Sequence, residues 1–290
     1  MARISPCTRL RELLARPGIT VAPNIWDPFS ARVAEQLGIE CVVLGGYAMG
    51  AGTVISEPLM TMTEVVDLTR NITRVVHIPI IVDVDTGFGE PLHVMRMMKE
   101  IERAGAASIH IEDQIYPKRA HYHKGIEHIV SRKDMVARIK ACVAARTDPD
   151  HVIIARTDAV KTDNFAEAVE RCNLYLEAGA DVGMLFPTSE EEVRQAPREI
   201  HGPLYFPMAE GFGRATFSAR ELEDMGYKIM SLPVTLICAA AHELKRIITN
   251  IRTKGVSGVP AGEMAQWRKE VEELIGLDEY YRIEAETVES

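Results

Sequence analysis

Two aspartates one residue apart close the apolar run IPIIVDVD, at Asp83 and Asp85, ahead of the Gly-rich turn TGFG. A second apolar run, ASIHIED, ends in Glu112 and Asp113. If these runs are strands, residues i and i+2 point the same way, and Asp83 and Asp85 face one pocket. Carboxylates that close repel, and one of them is pushed toward protonation unless a cation lies between them. With Glu112 as a third acid the set is all oxygen, which suits Mg2+ or Mn2+ rather than zinc. A helix cap would explain a lone Asp-x-Asp pair but leaves Glu112 without a role. Arg156 closes HVIIARTD. There a guanidinium can clamp a carboxylate in bidentate fashion or pair with Asp158 or another rim acid. Gly45 and Gly46 end CVVLGG, where bare backbone N–H groups can approach an anion, or where the chain simply turns. The stretch QIYPKRAHYHKG (114–125) gathers Lys118, Arg119, His121, His123 and Lys124 after the acidic pair. It reads as a metal site, an anion clamp or a solvated turn. A dedicated His-x-His metal site lacks a third ligand nearby.

The elements that must position these residues repeat along the chain. Short β-rich runs occur at 19–23, 41–46, 78–85, 107–113, 151–158, 181–186, 203–207 and 227–233. Between them lie helical patterns such as DPFSARVAEQLG and LHVMRMMKEIERAG, several closed by a stop glycine at Gly38, Gly105 or Gly179. Several runs lack polar alternation, as expected of strands covered on both faces in a parallel sheet. Repeats of this kind without a domain-sized linker predict an α/β fold, a (β/α)8 TIM-type barrel over 1–255, with a doubly wound sheet as the rival. Asp27 ahead of Pro28 predicts a helix cap. The Gly/Pro-rich stretch 255–263 predicts a hinge, and 256–290 then forms a helical tail for oligomerisation.

The chain has 290 residues, 47% hydrophobic, with a formal net charge of -9. That is enough apolar material for a continuous core and too acidic a balance for nucleic acid as the main partner. Cys7, Cys41, Cys142, Cys172 and Cys238 are scattered without a Cys-x-x-Cys pair, which fits reduced thiols and predicts a cytoplasmic protein. No apolar stretch approaches the ~18 residues of a membrane span, so no membrane partner is expected.

Taken in order, DVDTGFG, IHIEDQxxPKR and IIARTDA, flanked by PNIWDPFSARVAEQLG, EAGADVGMLFP and ELEDMGYKIMSLP, resemble the isocitrate lyase/phosphoenolpyruvate mutase superfamily. Within it the chain looks closest to the methylisocitrate lyase, dimethylmalate lyase and carboxyphosphonoenolpyruvate mutase-like branch. The resemblance implies a (β/α)8 barrel that uses Mg2+ (or Mn2+) on small 2-oxo or 2-hydroxy acids. Asp85 would ligate the metal directly, with Asp83 and Glu112 holding its waters. Arg156 would bind the carboxylate or enolate side of the substrate, and Gly45, Gly46 and Tyr47 would bind a carboxylate through backbone N–H groups. Lys118 would lie on a mobile gating loop. The tail would be exchanged between subunits of a homo-oligomer, a tetramer or a dimer.

The chain departs from the family pattern in that same loop. Family lyases carry Lys-(Lys/Arg)-Cys-Gly-His, with the cysteine taken as the proton donor; here the position holds Ala120. The Lys-Thr-Asn-Ser of the mutase and hydrolase branch is absent as well. Thr188 replaces an acid, Pro207 an asparagine, and the acid of the Pro-Asp-x-Gly loop falls at Ser56 or Glu57. These changes speak against isocitrate and methylisocitrate cleavage. His121, Tyr122 or His123 can take the acid's place, histidine being suited by its near-neutral pKa. The expectation is a Mg2+-dependent lyase cleaving a C–C bond of a malate derivative through a pyruvate-type enolate. Behind it stand an oxaloacetate-type decarboxylase, P–C phosphonomutase or hydrolase chemistry, and a non-catalytic 2-oxo acid binder.

Overall fold

The computed structural model describes residues 4–211 and 215–289. By contacts the chain divides into two compact units, Met1–Ile237 and Cys238–Ser290. In the first, β1 (Thr20–Ile25), β2 (Val42–Leu44), β3 (Ile80–Asp83), β4 (Ser108–Glu112), β5 (Val152–Thr157), β6 (Val182–Leu185), β7 (Leu204–Pro207) and β8 (Ile229–Leu232) form a closed barrel. Each strand pairs in parallel with the next, and β1 closes on β8 through Thr20–Ile229 and Val21–Met230. This is the expected (β/α)8 barrel.

Helices form the outer layer because their apolar residues recur on one stripe. In Pro91–Arg103 the buried residues are Val94, Met97, Met98 and Ile101, the i, i+3, i+4, i+7 spacing of a core-facing helix. Asp27 caps Pro28–Gln36 through a reciprocal box with Ser30, with Pro28 in the first turn. Gly38, Gly105 and Gly179 all adopt left-handed φ values, as stop glycines should. Inside the barrel, Leu10 and Leu13 of the helix Pro6–Ala15 cluster with Ala22, Val43, Ile81, Val152, Ile154 and Ile229. The amino-terminal helix therefore closes the floor, and the opposite mouth is left for chemistry, as is usual for this architecture.

Two boundaries differ from expectation. β3 ends at Asp83, so Asp85 lies in the loop beyond the strand with a left-handed φ of 52. The two acids therefore do not share a face by strand alternation. The contact boundary also falls at 237/238 rather than 255/256. It lies inside one continuous helix, Thr235–Lys254, in which no residue is buried. The Gly/Pro stretch instead joins that helix to Ala261–Leu274, with Leu277–Thr287 following. No helix is long and apolar enough to cross a membrane among the described residues.

Candidate active site

Alternation along β4 divides the acidic pair. Glu112 and His110 share the inward face, whereas Asp113 turns away from it. Asp113 accepts hydrogen bonds from the Thr157 hydroxyl (2.7 Å), the Tyr175 hydroxyl (2.8 Å), Arg171 (3.2 Å) and the Asp158 backbone N–H (3.1 Å). Its work is to tie the end of β5 to the helix Phe165–Glu177. Glu112 instead faces cations. Its Oε1 lies 2.8 Å from Lys118 Nζ and its Oε2 lies 2.9 Å from Arg156 Nη1.

Asp83 is held by backbone. Its Oδ2 accepts from Gly46 N–H and its Oδ1 from Asp85 N–H, each at 2.9 Å. The glycines of the β2 turn permit this approach. A Cβ on Gly46 would sit 2.8 Å from Asp83 Oδ2, and one on Gly45 would sit 2.0 Å from Asn24 Nδ2. The Gly46 N–H, expected to meet a substrate carboxylate, is thus engaged by Asp83. Tyr47, at the start of the helix Gly46–Thr53, is 40% exposed.

Lys118, expected on the gating loop and among the catalytic residues, lies in the loop 114–130 with its side chain turned inward and only 5% exposed. Its ammonium lies 2.8 Å from Glu57, 2.8 Å from Glu112 and 3.7 Å from Asp85. The loop that carries it is pinned at its neck, Ile115 N–H donating to His128 C=O (2.9 Å) and Val130 N–H to Asp113 C=O (2.7 Å). Glu57, not Ser56, is the acid of the β2–β3 connection that turns inward. Burial pushes Glu112 up to about 8 even though Arg156 and Lys118 pull the other way. Burial likewise raises Asp85. Glu57, Asp83, Asp85, Glu112 and Asp158 share two cations, Lys118 and Arg156, so negative charge is left in excess.

Arg156, at the penultimate position of β5, satisfies the rim-acid reading: Nε and Nη2 bind both oxygens of Asp158 (3.1 and 2.9 Å). With Nη1 on Glu112 and the guanidinium 4.5 Å from the Phe186 ring centroid, it is locked in orientation. Part of its donor fork is still open to a ligand.

These groups border a cavity of about 380 Å3. Its lining includes polar groups, among them Asn24, Asp83, His110 and Arg156, and apolar ones, among them Met184, Phe186, Pro207, Pro233 and Val234. Tyr122 and His123 reach it from the loop, together with Glu57. His121 does not line it and is exposed. His110 escaped the sequence reading although its signal was present, two residues before Glu112 on one strand face. Its Nε2 lies 3.6 Å from Asp83, and burial lowers its pKa, so it faces that acid as a neutral ring. Asn24 and Tyr205 carried no comparable signal. Among the described residues no three His, Cys, Asp or Glu side chains form a ready coordination shell. The acids Asp83, Asp85 and Glu112 are brought to one mouth, with the Lys118 ammonium against Glu112 and Asp85.

A closed parallel barrel with an acid-rich, arginine-clamped pocket at the strands' carboxyl ends defines a class of barrel enzyme acting on small anions. The family profile described as phosphoenolpyruvate phosphomutase matches residues 10–252. A 2-methylisocitrate lyase of Aeropyrum pernix is 40% identical over 282 residues, covering 96% of this chain and 89% of that protein. A 2,3-dimethylmalate lyase of Eubacterium barkeri is 36% identical over 285 residues, covering 97% and 98%. A crystal structure of 2,3-dimethylmalate lyase superposes with a TM-score of 0.89 at 32% identity, covering 98% of this chain and 95% of the other. The chain belongs to the isocitrate lyase/phosphoenolpyruvate mutase superfamily and is an enzyme of that family.

Proposed function

We propose that the protein is a Mg2+-dependent lyase that cleaves a C–C bond of a small 2-hydroxy or 2-oxo dicarboxylate, a malate derivative first among them. The observation that carries this reading is the buried set Asp83, Asp85 and Glu112 beside Arg156, over-charged for the cations present. Lys118 Nζ, held by Glu112 and Asp85, stands in for the kind of charge the set fits. All donors are oxygens, which suits Mg2+ or Mn2+ held by Asp85 directly and by Asp83 and Glu112 through water. When bound, the ion supplies Lewis-acid stabilisation of charge on the substrate's C2 oxygen.

The chain's own residues do the rest. The open part of the Arg156 fork takes the substrate carboxylate or the developing enolate, and its clamp on Asp158 fixes the approach angle. The β2 turn and Tyr47 line the same cavity, and the loop 114–125 screens the reacting carbon from water. In a 2-hydroxy acid the broken bond leaves its electron pair on the departing acid as an enolate. In an oxaloacetate-type acid the pair stays on pyruvate. The apolar lining residues Met184, Phe186, Pro207, Pro233 and Val234 accommodate an alkyl-substituted leaving group, in keeping with the 2,3-dimethylmalate lyase likeness.

The test is a panel of 2,3-dimethylmalate, 2-methylmalate, 2-methylisocitrate, oxaloacetate and phosphonopyruvate, each with Mg2+, with 2-oxo acid formation followed. Cleavage of a malate derivative supports the reading. Binding of oxalate with no turnover of any compound would replace the enzyme by a binder. We further assign the unit Cys238–Ser290 to exchange between subunits of a cytoplasmic homo-oligomer. Leu244, Ile248, Ile251, Tyr280 and Tyr281 are all exposed there, and a monomer by light scattering would remove that assignment.

A further inference from the structure

C–C cleavage leaves an electron pair on carbon, and the reaction ends only when that carbon gains a proton. With Ala120 unable to donate, the proton comes from another group at the cavity or from solvent. Most of the candidates are committed elsewhere. Lys118 is ion-paired to Glu57 and Glu112, and Lys161 is ion-paired to Glu127. His110 faces Asp83 at the base of the cavity, with Tyr205 beside it at 6.3 Å between ring centroids. Tyr47 borders the cavity but is 40% exposed, with its ring at 6.2 Å from His123. The segment Ala120–Lys124 differs, because the same loop that buries Lys118 returns over the cavity and sets Tyr122 and His123 into its lining.

Of these two, Tyr122 is the inner one. Its ring lies 4.0 Å beneath the Lys118 ammonium, and its hydroxyl is directed at Glu57. His123 is exposed and stacks on the Tyr122 ring at 4.2 Å between centroids. Burial and the Glu57 carboxylate push the Tyr122 phenol up, with the Lys118 ammonium opposing them, so the group keeps its proton until a carbanion, a far stronger base, forms beside it. A carboxylate at the hydroxyl holds that group in one orientation.

We propose that Tyr122 is the proton donor that quenches the carbanion formed on bond cleavage, an assignment that rests on the lyase reading. The step balances: the C2 hydroxyl proton passes to solvent as the oxygen's electrons form the new C=O. The C–C pair becomes the enolate of the leaving acid, and the Tyr122 O–H proton moves to that carbon. Solvent then re-protonates the phenolate.

The experiment uses the full chain with Mg2+ and 2,3-dimethylmalate in D2O, comparing wild type, Tyr122→Phe and His123→Gln, with oxalate affinity measured by calorimetry. Tyr122→Phe is expected to lower kcat by about 100-fold or more, the range for one positioned acid, with oxalate affinity within about threefold of wild type. Wild type should place deuterium at C2 of the propionate product with one configuration, and residual Tyr122→Phe turnover should give both. His123→Gln should keep the single configuration. Tyr122→Phe with wild-type kcat and one configuration overturns the assignment, as does transfer of both effects to His123→Gln. A kcat loss matched by an equal loss of oxalate affinity, with configuration kept, also overturns it. A wild type that binds oxalate yet cleaves nothing in the panel sinks the lyase reading and this assignment together, whereas an active wild type beside an unaffected Tyr122→Phe sinks this assignment alone.

Discussion

The two ends of the barrel both carry ion pairs, partly exposed at the floor and buried at the mouth. At the floor, Asp181 lies between Arg11 (2.8 Å) and Arg146 (3.0 Å) and also accepts from Ile153 N–H (2.8 Å). Thr8 donates to the Asp150 carboxylate (2.7 Å) and Arg11 to the Asp150 carbonyl (3.0 Å), which ties the amino-terminal helix to that turn. At the mouth, Glu57, Asp83, Asp85, Glu112 and Asp158 share Lys118 and Arg156. A buried charge is tolerated when it is paired, and excess charge of one sign costs stability. The floor pairs tie the amino-terminal helix to the barrel, and the mouth pairs lie beside a cavity. The lesson is that burial of an acid says little by itself: Asp113 is buried in a network that ties β5 to a helix, and its neighbour Glu112 is buried against Lys118 and Arg156.

The comparison breaks most visibly at Asp85. Asp85→Asn removes one charge from the crowded mouth, so the melting temperature should hold or rise while kcat/KM falls by about a thousandfold, the scale of losing a metal's charge stabilisation. Full activity in that variant would remove the metal assignment. Asp113 has the opposite character despite its place next to Glu112. Asp113→Ala strands Arg171 and the Tyr175 hydroxyl in the interior and should cost about 3–5 kcal/mol in denaturant unfolding. A smaller loss would mean that its network is dispensable. At the floor, His151 is fully buried and its pKa is pushed down to about 4 from 6.5, chiefly by burial. The folded chain thus keeps the ring neutral while the unfolded chain takes up a proton below pH 6.5. Stability is whole above that value and is lost as pH falls from 6.5 to 4, by about 3 kcal/mol in total. Unfolding of wild type against His151→Gln over that window should show the loss in wild type alone, with equal slopes counting against it.

Much of the barrel could be read from the chain because its signals are local. Apolar runs of strand length, stop glycines at Gly38, Gly105 and Gly179, and the Asp27–Pro28 cap each depend on a few neighbouring residues. Side-chain direction was legible where a strand fixed it, as for Glu112 and Arg156, and His110 could have been added by the same alternation. Direction failed where the backbone leaves regular structure. Asp85 was placed on a strand that ends at Asp83, and its position depends instead on a left-handed turn. The inward path of Lys118 depends on a loop neck whose partners, His128 and Asp113, lie outside any local pattern. The tail boundary was set by composition, and Gly and Pro mark a break in helix without marking where contacts end.

The account rests on the mouth's acids serving a ligand, and calorimetry with oxalate tests that most directly. Wild type should bind oxalate much more tightly with Mg2+ than with EDTA. Glu112→Gln takes the paired carboxylate from Lys118 and Arg156, so it should lose stability on the scale of a broken buried ion pair and should lose most of that Mg2+ dependence. Equal oxalate affinity with and without Mg2+ in wild type, or Mg2+ dependence untouched in Glu112→Gln, would contradict it.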